Sequence, residues 1–337
     1  MSVGIAKATH VLNLNTIYVK SDYDGKPIPG TQWLEFPPDP YTVFGDLESA
    51  EARRLYNTHD YSGAQRIFAN LEERVPEPDA SIYRAYATLS ETYAHWDVFN
   101  WREANIAIER LLNAPLPPNI EPERSRLQKQ HAMLQRLNAD TARLAANKLP
   151  QSLLEDLDSI LPLLGILRSN AQRRAAQGRY DMAAMFLYRC LELMSQHRLA
   201  GHGILTERPD YGAIRKRIPD LDTRYRNIER SLFRNSYGIE EGRSINLLNG
   251  YMLLKALDDS LIHDFDLKQI RNSVKARNNS MLAHGFRLID EKEYQQFREV
   301  VDKIVTRFFQ VSKHDQLAWE RTSTFLTLFS TEQEPSI

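Results

Sequence analysis

From Phe44 onward the apolar residues fall three and four positions apart in one segment after another, and this spacing restricts the fold more than any other feature. A half-buried strand shows apolar residues at every second position, whereas a helix shows them on a stripe at every third or fourth. Tyr61–Leu71 keeps such a stripe in Tyr61, Ala64, Ile67, Phe68 and Leu71. Tyr83–Leu112 continues it over a longer run, where Tyr86, Leu89, Tyr93, Trp96, Phe99 and Trp101 read as core rather than as a platform for stacked bases. Pro115, Pro117, Pro118 and Pro122 break the pattern, and Glu121–Ala146 reads as a charged helix. Leu153–Arg179 and Tyr180–Leu199 predict a helical hairpin joined near Gly178, followed by a loop over Ala200–Tyr211. Further helices are predicted near Ile239–Ile262, Leu267–Ala283 and Glu291–Phe309, before a polar tail at Ser330–Ile337. The paired helices resemble tetratricopeptide-type packing, but the repeat of roughly 34 residues that such arrays need is missing.

The first 45 residues have a different character. Ser2–Leu14 is rich in small and apolar residues, as a helix packed closely on a sheet would be, and Thr16–Val19 reads as a buried strand. Asp24-Gly25, Pro27 and Pro29-Gly30 mark a hairpin-like turn, and Trp33–Phe36 predicts a last short strand ended by Pro37, Pro38 and Pro40. One helix and two or three strands cannot enclose a core alone, so this stretch needs a partner or a preceding half.

Composition removes several function classes. The 337 residues are 42% apolar and 26% charged, typical of a globular protein. No apolar run reaches the ~18–20 residues of a membrane span, and no signal pattern opens the chain, so a cytoplasmic protein is expected. The single cysteine, Cys190, excludes an intramolecular disulfide framework and a cysteine zinc site, and reads as a buried thiol. His10, His59, His95, His131, His197, His202, His263 and His314 lack metal-ligand spacing, so neither metal nor cofactor is predicted. Asp258-Asp259 near His263 reads as an acidic helix end. With a net charge of −1, any RNA contact must come from a local basic patch. Arg215-Lys216-Arg217 with Arg224, Arg226 and Arg230 could form one, but Asp220, Asp222 and Glu229 among them favour a solvated surface.

The segment that carries chemistry is Arg277-Asn278-Asn279-Ser280-Met281-Leu282-Ala283-His284-Gly285. Within a helix, Arg277 and His284 would share one face two turns apart, their Cα atoms ~10 Å from each other. Gly285 would end that helix, leaving His284 at its negative end, where an imidazole is helped to give as well as take a proton. Cleavage of RNA by its own 2′-hydroxyl needs a proton removed there, a proton delivered to the leaving 5′-oxygen, and positive charge at the phosphate. A histidine and an arginine supply these without a metal, and two copies in a symmetric dimer would supply them more fully. The spacing alone favours the plainer reading of a surface arginine and a helix-capping histidine.

Arg-Asn-x-Ser-x-Leu-Ala-His-Gly resembles the motif of HEPN ribonucleases. Upstream, Gly178-Arg179-Tyr180-Asp181, Leu187-Tyr188-Arg189-Cys190-Leu191-Glu192 and Gln196-His197-Arg198-Leu199 are similar to the preceding helices of a CRISPR-associated HEPN family, and Tyr41-x-Val43-Phe44-Gly45-Asp46 to its entry into the helices. The resemblance implies a mainly α fold in four parts: residues 1–45 as the end of a Rossmann-like (CARF) sensor domain, 46–150 as a helical linker domain, 151–329 as the HEPN domain, and 330–337 as the tail. It implies a homodimeric, metal-independent endoribonuclease acting on single-stranded RNA in type III CRISPR antiviral defence. Arg277 would charge-stabilise the scissile phosphate, His284 would transfer protons, and Asn278 would support the site by hydrogen bonding. Arg271, Lys275 and Arg287 could line an RNA path or a solvated face equally well. Relatives carry a whole sensor domain, expected to bind a cyclic oligoadenylate, whose glycine-rich turn would lie just before Met1. Response to that ligand is therefore expected of full-length relatives and not of this chain, and a non-catalytic dimerisation or RNA-holding scaffold is the alternative.

Overall fold

The computed structural model describes residues 18–35, 40–146 and 151–328. The helix expected at Ser2–Leu14 and the polar tail lie outside them. The described residues divide into two compact units, one running up to residue 124 with 327–328 and the other lying within 125–326.

In the first unit, β1 (Tyr18–Lys20) and β2 (Trp33–Glu35) pair antiparallel with Val19 opposite Leu34. Val19 is 68% exposed, which corrects the expected buried strand. A ladder of two three-residue strands has no second layer among the described residues to cover it. Four helices follow: α1 (Pro40–Asn57), α2 (Tyr61–Arg74), α3 (Asp79–Asp97) and α4 (Trp101–Asn113). Asp60 caps α2 by accepting from the Gly63 amide. The run expected to be helical from Tyr83 to Leu112 is two helices, because Phe99 takes a left-handed φ of 64° and reverses the chain. Tyr86, Leu89, Tyr93, Trp96 and Trp101 are core, as the pattern implied, but Phe99, at the turn, is 40% exposed and is not. Tyr56, Tyr61, Tyr93 and Trp96 are buried and meet largely edge-on, with ring centroids 5.1–6.2 Å apart.

The second unit is also helical: α5 (Arg124–Ala146), α6 (Gln151–Glu155), α7 (Leu157–Ala176), α8 (Tyr180–Gly201), α9 (Gly212–Arg217), α10 (Leu221–Leu232), α11 (Leu247–Ala256), α12 (Leu267–Asn278), α13 (Glu291–Ser312) and α14 (Gln316–Ser323). Helix α8 is its axis. Ala183, Ala184, Leu187, Cys190, Leu191 and Met194 are buried on faces that meet α7, α11, α12 and α13. Gly178, at φ 71°, makes the turn of the α7–α8 hairpin where it was expected. Helix α13 opens with a capping box of Asp290 and Glu293 and buries Tyr294, Phe297, Val301, Ile304, Val305 and Phe308 at helical spacing. Helices α9, α10 and α14 lie in segments for which the apolar pattern gave no helix.

Candidate active site

Arg277 and Asn278 end α12, whose start is capped by Asp266 accepting from the Lys268 amide at 2.9 Å. The helix does not run on to Ala283, which corrects the expected two-turn spacing. Asn279 caps its C-terminus, and residues 280–287 fold back as a closed strap. The Ser280 carbonyl accepts from Ala283 and Gly285, both at 3.0 Å. Met281 donates to the Arg287 carbonyl at 2.9 Å and Arg287 to that of Asn279 at 3.3 Å. Two properties of the sequence explain the stop. Asn278, Asn279 and Ser280 carry side chains that compete with helical backbone bonds. Gly285, lacking a Cβ, lets the returning chain lie against Asn279; a Cβ there would stand 2.7 Å from Asn279 Cα and nearer still to its carbonyl group. Gly285 is thus needed for a close approach and not as a helix terminator.

The fold-back still delivers His284 to the end of α12. Its amide donates to the Asn278 carbonyl at 3.2 Å, while the residue stays exposed. The strap is also tied down beyond the motif, where the Ile289 amide donates to Asp181 Oδ2 at 3.2 Å in the first turn of α8.

Arg277 is held differently. Its guanidinium carbon lies 4.4 Å from the centre of the Tyr188 ring, and Nη1 donates to Asn278 Oδ1 at 3.1 Å. Nε is buried without a hydrogen-bond partner, and among the described residues no carboxylate pairs with this cation. A half-buried guanidinium on an aromatic face, not neutralised by an acid, keeps its charge for an anionic ligand. Burial pushes the Tyr188 phenol above its ordinary value; Glu192 adds to this, and Arg277 and Arg189 oppose it.

The remaining candidates separate clearly. Arg287 pairs with Glu293, and Arg271 donates to the Leu232 carbonyl beneath the Phe233 ring, so both have structural partners; Lys275 is exposed. Arg215 is paired with Asp222 and Glu241, and Arg224 with Asp220, as a solvated surface requires. Asp258 and Asp259 part company. Asp258 bonds His263 at the surface, whereas the Asp259 side chain is fully buried and accepts from Arg198 and His202, each at 2.8 Å. Asp259 is therefore a structural anchor rather than an acidic helix end. Among the described residues, no group of three or more His, Cys, Asp or Glu could hold a metal ion, and no helix is long and apolar enough to cross a membrane. Sequence reasoning missed Tyr188 and Asp181 as parts of the site. Their spacing of two helical turns on α8 was visible, but the face they occupy was not.

The helical unit thus ends α12 in Arg277-Asn278 and folds His284 back onto the Asn278 carbonyl. The Csm6 HEPN domain family matches residues 155–307, which contain the whole motif, and the Csm6 6H domain family matches residues 44–140. By these two matches the chain is similar to CRISPR-associated Csm6 proteins in both its 6H and its HEPN segments. A curated relative, the CRISPR system endoribonuclease Csm6 of Thermus thermophilus, is 27% identical over 311 residues, covering 85% of this chain. The chain spans 62% of that relative's length.

Proposed function

We propose that this chain is a cytoplasmic, metal-independent endoribonuclease that cleaves single-stranded RNA in CRISPR antiviral defence, with Arg277 and His284 in the site. The observation that carries the reading is at the end of α12: an arginine with no acidic partner among the described residues, and an exposed histidine whose amide donates to the carbonyl of the next residue, Asn278. In the proposed reaction the 2′-oxygen attacks phosphorus and the bond to the 5′-oxygen breaks. One proton leaves the 2′-hydroxyl and one reaches the 5′-oxygen, giving a 2′,3′-cyclic phosphate and a 5′-hydroxyl. Arg277 meets the charge that gathers on the phosphoryl oxygens, and His284 handles a proton. Asn278 orients Arg277 through their mutual hydrogen bond.

One arginine and one histidine are few for two proton transfers and charge stabilisation, so the site is composite across a homodimer. The surface around it supports this. Met281, Leu282 and Phe286 on the strap and Leu288 just after it are exposed, Phe286 by 96%, and Met182 and Met185 of α8 are exposed beside the Asp181 tether. An apolar rim around a polar pair suits a second copy of the same rim.

The test is cleavage of a labelled single-stranded RNA in EDTA by the chain, Arg277→Ala and His284→Ala. Loss of cutting in both variants supports the reading; cutting that persists in both, or a wild type that does not cut, overturns it. Adding cyclic oligoadenylate to the same assay measures whether the regulation expected of relatives with a whole sensor domain extends to this chain.

A further inference from the structure

We infer that Tyr188 is a positioning residue for the reaction: its ring is the platform that holds Arg277 aimed at the phosphate. The inference rests on the ribonuclease reading above. It starts from a deficit. An arginine used against a phosphate must present its outer nitrogens in a fixed direction, yet it cannot be fixed by a carboxylate without losing the charge it is there to supply. Arg277 has no acidic partner among the described residues, and its Nε is buried with no hydrogen bond at all. Asn278 Oδ1 engages only Nη1, from the neighbouring position on the same helix end. A single local bond leaves the guanidinium free to swing about its long side chain.

Tyr188 supplies the missing constraint. The guanidinium carbon is 4.4 Å from its ring centroid, inside the range over which a ring quadrupole attracts a cation. The ring is half-buried on α8, a 22-residue helix with one face in the core, so it is anchored by packing that does not depend on the strap. Stacking on a ring restrains the guanidinium while keeping its charge, which a carboxylate would not. Asp181 stands two turns earlier on the same helix and holds the strap through the Ile289 amide. Helix α8 thus contacts both arms of the motif, the arginine through Tyr188 and the histidine-bearing strap through Asp181.

The test compares Tyr188→Phe and Tyr188→Leu with wild type by RNA cleavage and by NMR of the protein labelled with 15N at its arginines. The Arg277 Nε–H signal is assigned by its disappearance in Arg277→Lys. With the ring in place that proton is shifted upfield by the ring current and slow to exchange with water. Tyr188→Phe keeps the ring, so signal and kcat stay within about twofold of wild type. Tyr188→Leu releases the arginine: the signal moves to the ordinary range, and kcat falls roughly 3- to 30-fold with KM little changed. Unchanged kcat in Tyr188→Leu overturns the inference, as does an Arg277 signal indifferent to the ring. Equal losses in both variants also overturn it, assigning the effect to the phenol and not to the ring. A wild type that does not cut overturns the ribonuclease reading, and with it the purpose assigned to Tyr188, whatever the Arg277 signal shows.

Discussion

Gly285→Ala adds one carbon and two hydrogens, yet it should nearly abolish cleavage. The added Cβ would stand 2.7 Å from Asn279 Cα and closer to that residue's carbonyl group, where ordinary contact begins at 3.4 Å. The obstacle is backbone, so no side-chain rotation can relieve it, and the strap must open by roughly an ångström. The bonds at risk are those of Gly285 to Ser280, Arg287 to Asn279 and His284 to Asn278, which together seat the histidine. Opening should cost about 1–3 kcal/mol, the range for overpacking a tight site. A catalytic group moved by roughly 1 Å loses on the order of 100-fold in rate. The strap carries exposed side chains at Met281, Leu282 and Phe286 and lies outside the main core, so the unit should still fold. The assay is kcat for RNA cleavage beside a thermal melt, with Gly178→Ala as the control. Gly178 has φ 71° and open space around it, so alanine there should cost about 1 kcal/mol of stability and leave kcat alone. Cleavage by Gly285→Ala at the wild-type rate would refute the argument that the close approach seats His284.

Three further predictions follow from burial and charge. Phe286→Asp places a charge in the middle of the exposed apolar rim and should weaken the proposed dimer by about tenfold or more by sedimentation, with cutting lost in parallel and the melt unchanged; association unaffected by the charge sinks the composite site. Stability should fall with acidity in two stages, read from melts between pH 3 and 8. Burial holds the His197 imidazole below its ordinary value despite its bond to the Leu154 carbonyl, so its contribution is complete above about 6.5 and is lost as pH falls through the lowered value. Burial alone would raise the Asp259 carboxyl, but bonds from His202 and Arg198 outweigh it and hold it low; its contribution is present above about 4 and lost as pH falls through the depressed value. His197→Phe should remove the first stage and Asp259→Asn the second, and a melt flat from pH 7 to 3 would contradict both assignments. Finally, Cys190 is fully buried with its thiol pushed up to about 12, so it should ignore a thiol reagent in the native protein and react at once in denaturant.

Much of the helical architecture was legible because it depends on local order in the sequence. The α7–α8 hairpin turned at Gly178 as read, and Tyr93 and Trp96 went into the core as their spacing required. Errors arose where short-range competition decides. Phe99 adopted a left-handed conformation within a continuous apolar pattern, and Asn278-Asn279-Ser280 ended a helix that the pattern carried to Ala283. Helices α9 and α10 lie in charged text, where Arg215, Arg224 and their acidic partners obscure the stripe.

The sequence by itself determined the mainly helical class, the position of the Arg277–His284 segment and the resemblance to HEPN ribonucleases, because periodicity and motif are properties of neighbouring residues. Only the tertiary structure decided how that segment is built. The strap exists because Gly285 can touch the backbone of Asn279, and Arg277 finds Tyr188 because α8 and α12 pack against each other across 89 positions of chain. Contacts of that kind depend on which helix faces meet in space, and no spacing rule along the chain encodes them.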